Sequence, residues 1–182
     1  MTEQQLYEVV RQYPGFELRH YPAHLVADVE VHGSFQDAGN AGFRPLFDYI
    51  RGRNQTGQSV AMTAPVLQHR DNDTNPTVTT ETSPGRYVVS FVMPDGSTRQ
   101  SLPDPGDERV TLRPVPEQLA AATRYTGRWT PATYQQHLDR LRHAVLDAGL
   151  EPANPASFAR YDPPWTPWFR RRNEVLLPVR SL

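Results

Sequence analysis

The stretch that decides the fold is FELRHYPAHLVA, residues 16–27, because the chain writes it again as VTLRPVPEQLAA at residues 110–121. Both contain L-R-x-x-P-x-x-L-x-A, so Leu18, Arg19, Pro22, Leu25 and Ala27 recur 94 positions later as Leu112, Arg113, Pro116, Leu119 and Ala121. The same offset carries Gly33 onto Gly127, the aromatic Phe35 onto Trp129, and Ala38 onto Ala132. Leucine, arginine and alanine are common, yet eight matches in one order at one offset read as duplication. Repeats this long are not solenoid units. They read as two copies of one supersecondary module, about 7–95 and about 108–180, within a single domain over 1–182.

Each copy opens as a hairpin-like pair. Phe16, Leu18 and His20 alternate with polar neighbours, Tyr21–His24 turn the chain, and Leu25–Val31 form a strand rich in β-branched residues. In the second copy Val110–Leu112 enter the turn at Pro114–Glu117, and Gln118–Tyr125 return. A helix follows each pair. In the first, Ser34 or Asp37 caps an apolar stripe of Phe43, Leu46, Phe47 and Ile50; Pro45 kinks this helix or delays its start to Arg44. In the second, Thr130 is the N-cap, Pro131 fills the first turn, Tyr134, Leu138, Leu141, Val145 and Ala148 make the stripe, and Gly149 stops it. Two further strands complete each half: Ser59–Gln68 and Arg86–Met93, separated by DNDTNPTVTTETSPG, then Ser157–Tyr161 and Asn173–Val179, separated by DPPWTPWFRR. The stretch from Pro94 to Arg109, full of glycine, proline and aspartate, reads as the connector. The expected architecture is α+β: a distorted antiparallel β-barrel from two βαββ-type modules, flanked by two helices. A ligand would enter the cleft where the halves meet.

Composition narrows the chemistry. With 182 residues the chain can bury about 70% of its unfolded surface and needs no staple. It has no cysteine, which excludes thiol catalysis, zinc–thiolate sites and disulfides. All 19 basic residues are arginine, which excludes a Schiff-base lysine. A net charge of −1 with interspersed signs argues against a nucleic-acid binder. No stretch reaches 18 apolar residues, and MTEQQLYEVV lacks the pattern of a signal peptide, so a cytoplasmic monomer is expected.

Six segments, in order, resemble the SOUL heme-binding family over nearly the whole chain. They are YE-V on Tyr7–Val10 with ELRHYP on Glu17–Pro22, GF-LF-YI-G-N from Gly42 to Asn54, AMTAPV on Ala61–Val66, SFVMP on Ser90–Pro94, YDPPWTPW on Tyr161–Trp168, and RRNEV on Arg171–Val175. The resemblance implies a duplicated α+β barrel, similar also to the effector-binding domains of certain transcription regulators. It implies heme or a related tetrapyrrole as ligand, held by a carrier or buffer without catalysis.

His20 stands where one animal branch of the family has a histidine proposed as axial iron ligand, and imidazole suits that role. On the first helix Phe43, Leu46 and Phe47 would form an apolar bed, with Asn40, Arg44 and Arg51 along one edge. Arginine forks suit propionates. The basic positions of the animal protein fall here on Asn40 and Asp48, leaving Arg44 or Arg51 to substitute. Tyr161, Trp165 and Trp168 sit on a proline-fixed loop that could wall a flat ligand or simply close a barrel end. Met62 and Met93 are read as core filling before thioether ligation. The histidines His24, His32, His69, His137 and His143 are read as solvated. Glu174 is either a buried structural partner of Arg19 or Arg113, or a general base with raised pKa. Two alternatives follow: a binding module for another apolar or cationic small molecule, and a small-molecule hydrolase using Glu174 and Tyr161.

Overall fold

The two halves exchange their first strands. In the computed structural model, which describes residues 2–71 and 84–180, the chain runs β1 (Glu3–Gln4), β2 (Glu8–Tyr13), β3 (Phe16–Tyr21), β4 (His24–Gly33), α1 (Phe35–Ile50), β5 (Thr63–Ala64), β6 (Val66–Arg70) and β7 (Gly85–Val92). It continues with β8 (Val110–Val115), β9 (Gln118–Thr126), α2 (Pro131–Asp147), β10 (Ser157–Arg160), a 3₁₀ turn (Trp168–Arg170) and β11 (Arg172–Val179). Most of the polar stretch DNDTNPTVTTETSPG lies outside the described residues.

The expected hairpin of β3 with β4 does not form; β3 pairs with β9, and β4 pairs with β8. Tyr21 faces Gln118 and Val115 faces His24; Glu17 faces Ala122 and Thr111 faces Asp28. Each pairing becomes the other when shifted by 94 residues, so the duplication extends to hydrogen-bond register. The turns at Pro22 and Pro116 are therefore crossovers between halves.

Nine strands make one antiparallel sheet in the order β2-β3-β9-β11-β10-β6-β7-β4-β8, with β10 against β6 at the centre. The end strands β2 and β8 do not meet, so the sheet is open where a barrel was expected. Their sequences suit an edge: β2 is exposed and carries Glu8 and Arg11, and β8 carries Pro114, which has no N–H to offer a further strand. The expected strand over Ser59–Gln68 is shorter and broken at Pro65 for the same reason, leaving β5 to pair with β1.

Helix α2 follows its sequence signals. Thr130 Oγ1 accepts the N–H of Thr133 at 3.2 Å, Pro131 occupies the first turn, Tyr134, Leu138, Leu141 and Val145 are buried, and Gly149 takes φ +74° just past the end. Helix α1 starts at Phe35 and runs through Pro45, earlier than the proline suggests. Ser34 fixes that start, accepting the Asp37 N–H at 3.1 Å and donating to its carboxylate at 2.7 Å. The buried face of α1 is Phe35, Ala38, Gly39, Gly42, Pro45, Leu46, Tyr49 and Ile50. Phe43 and Phe47 turn to its flank, where their rings stack 5.4 Å apart.

Both helices cover one face of the sheet. Tyr134 of α2 packs with Phe35, Tyr87, Tyr125, Phe158 and Leu177, and Leu46 and Tyr49 of α1 pack with Val89, Phe91 and Met93. Tyr21, Ala120, Ala159 and Leu176 pack separately. No helix of the described residues is long and apolar enough to cross a membrane.

Candidate ligand-binding site

Where β10 ends, the chain leaves the sheet beside the flank of α1, and a cavity of about 340 Å³ opens between them. Its walls are Gly39, Asn40, Phe43 and Phe47 of α1; Met62, Ala64 and Val66 around β5 and β6; Trp129; Arg160; and Tyr161, Asp162, Pro163, Pro164 and Trp165, with Thr2 at the rim. Most of that surface is carbon.

The wall from 161 to 165 is fixed by its bonds to β11. The Tyr161 hydroxyl donates to Glu174 Oε2 at 3.0 Å, and the Arg172 guanidinium lies 3.8 Å over the Tyr161 ring. Asp162 Oδ2 accepts the Arg172 N–H at 2.6 Å. Arg171 donates to the carbonyls of Thr166 at 2.8 Å and Pro164 at 2.6 Å, and its guanidinium lies 4.2 Å from the Trp129 ring centre. Trp129 is held in turn by Nε1 donating to Asn173 Oδ1 at 2.7 Å.

Five of the residues singled out from sequence converge on this cavity: Asn40, Phe43, Phe47, Tyr161 and Trp165. Arg51 lies just outside, 5.3 Å over the Phe47 ring. Arg44 is exposed on α1. Trp168 packs edge-on against Phe169 and under Arg128 beyond the lining. His20 is elsewhere. It sits on β3, separated from β10 by β9 and β11, about 14 Å at ordinary strand spacing, and its Nε2 meets Glu117 at 3.2 Å. Although His24 follows His20 by four residues, the crossover at Pro22 lies between them, and among the described residues no three-membered His/Asp/Glu group could hold a metal ion.

Two histidines expected to be solvated are not. His69 on β6 is half-buried, and burial lowers its pKa, opposed by Asp28. His137 stacks on Tyr125 with centroids 4.0 Å apart, and partial burial lowers its pKa too. Met93 fills the core under α1, while Met62 reaches the cavity.

Glu174 lies on the other face of the sheet, fully enclosed. Its carboxylate takes a two-pronged pair from Arg19, at 2.7 and 3.1 Å, and a further bond from Arg172 at 2.9 Å. Arg113 pairs instead with Asp28, at 2.6 Å. Burial raises the Glu174 pKa, but the two guanidiniums outweigh it and hold the group below the usual carboxylate range. Burial and the charge of Glu174 push the Tyr161 phenol well above its own. The pair is thus not poised for acid–base work near neutral pH; it is a structural ion-pair cluster.

Sequence reasoning missed Arg160, Trp129 and Gly39. Trp129 was visible as the repeat partner of Phe35, and Arg160 as the neighbour of Tyr161 two positions from the buried Phe158.

The profile of the SOUL heme-binding protein family matches residues 2–178. The chain belongs to that family. Among curated SOUL relatives, heme-binding protein 1 of Xenopus laevis is 26% identical over 162 residues, covering 88% of this chain and 82% of that protein. Heme-binding protein 2 of Mus musculus is 26% identical over 144 residues, covering 78% and 67%. The fold of this SOUL chain is shared with the EcmrR C-terminal domain at a TM-score of 0.65 and 14% identity, covering 97% of this chain and 99% of the other. A hydrolase from Listeria innocua superimposes at 0.62 with 14% identity, covering 94% of each. SAV2435, solved bound to tetraphenylphosphonium, superimposes at 0.52 with 11% identity, covering 91% and 94%.

Proposed function

We propose that this SOUL protein binds heme or a related tetrapyrrole, as a non-catalytic carrier or buffer, in the cavity between α1 and the loop after β10. The observation that carries this reading is the stacked pair Phe43 and Phe47 sharing the lining of an apolar space with Trp129 and Trp165, within the residues that the family profile matches. Aromatic walls favour a flat π-ligand. A volume of 340 Å³ lies at the low end for ligand sites. A tetrapyrrole would therefore be enclosed only in part, with Trp165 the most exposed aromatic residue of the lining.

The residues fit such a group in two respects. The lining offers carbon for the macrocycle, and the buried Nε of Arg160 has no hydrogen-bond partner. No histidine of the described residues lines the cavity, so apolar contact would hold the macrocycle, with Met62 the lining thioether that could be offered to iron. When bound, heme supplies its own iron chemistry; the protein binds, orients and shields it.

Hemin titration tests this. A shifted Soret band saturating at one equivalent is expected, lost on Phe43→Ala/Phe47→Ala and kept on His20→Ala. Unshifted, non-saturating spectra would dismiss the proposal. The small volume also favours a second reading, a binding site for a smaller apolar molecule, which predicts weak hemin binding and tight binding of naphthalene-sized compounds.

A further inference from the structure

Arg160 is the last residue of β10, at the centre of the sheet, and its side chain crosses toward α1. Space for it exists because residue 39 is glycine: a Cβ there would stand 2.8 Å from the Arg160 Cζ and closer still to both Nη atoms. The guanidinium lies 5.0 Å from the Trp129 ring centre and 5.2 Å from that of Phe158. Its one hydrogen bond among the described residues runs from Nη2 to the Gln68 side-chain oxygen at 3.1 Å. Gln68 is itself fixed, donating to the Phe35 carbonyl at 2.7 Å. The Nε of Arg160 is buried without a partner. No carboxylate of the described residues comes within ion-pair distance; Asp162 lines the same cavity but accepts the Arg172 N–H instead.

A half-buried guanidinium with five donor hydrogens, a buried Nε without a partner, one neutral amide and two aromatic faces but no carboxylate is an incomplete arrangement. Burial, with Arg171 nearby, draws its pKa down to about 10, so the group keeps its charge at neutral pH. The charge faces an apolar space with aromatic walls. We propose that Arg160 is the anion-recognition point of the cavity, and that the ligands it selects are apolar aromatic carboxylates rather than neutral or cationic compounds. The proposal rests on the cavity being the ligand site, but not on the ligand being a tetrapyrrole. The expected charge preference is the opposite of that of the lipophilic cation with which the fold neighbour SAV2435 was solved.

Calorimetric titration with 2-naphthoate, 2-naphthalenemethanol and tetraphenylphosphonium tests it, because the first two differ little beyond the charge. The wild-type protein should bind naphthoate at least tenfold more tightly than the alcohol, and tetraphenylphosphonium least. Arg160→Gln should erase the preference for naphthoate, and Arg160→Lys should keep part of it. Equal affinities in the wild type overturn the proposal without any variant having to fold, as does a preference that survives Arg160→Gln. Protoporphyrin IX and its dimethyl ester form the second arm. If naphthoate discriminates and neither porphyrin binds, the tetrapyrrole reading falls while the anion site stands. If both porphyrins bind equally and naphthoate shows no preference, the cavity reading stands and Arg160 is structural.

Discussion

Replacing Glu174 by glutamine should be among the costliest single changes in this protein. The carboxylate is fully enclosed and accepts from Arg19 Nη1 and Nη2, Arg172 Nη2 and the Tyr161 hydroxyl, at 2.7, 3.1, 2.9 and 3.0 Å. Glutamine keeps one acceptor oxygen, turns an amide donor toward an arginine, and leaves Arg19, itself 3% exposed, short of countercharge. Breaking a buried pair by removing one partner costs about 3–5 kcal/mol. Here the lower end applies, because Glu17 remains 2.8 Å from Arg19 and the side chain of Arg172 is 20% exposed and can turn to water. About 3 kcal/mol corresponds to a Tm lowered by roughly 6–12 °C in a chain of this size. Urea denaturation at pH 7, followed by tryptophan fluorescence, gives the free energy directly. The pH dependence then identifies the cause. Because the folded protein holds Glu174 below its ordinary value of 4.5, the stabilisation is complete above that pH and lost as pH falls through the lower folded value. The variant lacks this contribution, so the gap between the two proteins should close on acidification. A second check is the pair Arg19→Met with Glu174→Leu, which should cost less together than the single changes summed. A loss below about 0.5 kcal/mol, or a gap that stays constant down to pH 3, would refute the ion-pair account.

Phe158→Ala should cost about 3–5 kcal/mol in the same denaturation assay, since its fully buried ring lies 5.3 Å from Tyr134 and 5.6 Å from Phe35. Gly42→Ala should cost about 1–3 kcal/mol, because the new methyl would stand 2.6 Å from Val89 Cβ and push α1 off β7; an unchanged midpoint would contradict the close approach. Trp165→Ala should leave stability within about 0.5 kcal/mol, its side chain being 84% exposed, yet weaken protoporphyrin binding roughly 2–10-fold in a fluorescence titration. Equal affinity there would remove Trp165 from the ligand wall.

Much of this architecture is written locally. The 94-residue offset forecast two matched halves, and α2 announced its cap, its stripe and its stop in single residues. Strand exchange was not legible, because β3 and β4 look alike whether they pair with each other or across the halves; only the non-local register decides. The buried face of α1 was misjudged for a different reason. Gly39 and Gly42 have little hydrophobicity of their own, but their lack of a side chain lets Arg160 and Val89 approach, so contact turns the helix on its small residues and leaves Phe43 and Phe47 on the flank. That rotation is what opens the cavity to two aromatic rings.

The two arginine systems of the central strands explain each other. On one face, Arg19 and Arg172 converge on Glu174, and Arg19 also bonds Tyr21 and lies 4.0 Å over the Tyr7 ring. Alternation along β10 places Ala159 on that face and sends Phe158 and Arg160 to the face under the helices. The chain therefore has a carboxylate at the buried Arg19 guanidinium, where charge serves only the fold, and pairs the exposed Arg113 with Asp28 in the same way. At Arg160 it provides a glycine for clearance, an amide to hold one nitrogen, two aromatic rings and, among the described residues, no acid in ion-pair reach. A half-buried cation left in that condition is partly desolvated without a countercharge, and an anion entering the cavity would offset that cost. Leaving the countercharge to a guest makes the cavity discriminate by charge as well as by shape, at a point where shape alone would admit any flat apolar molecule.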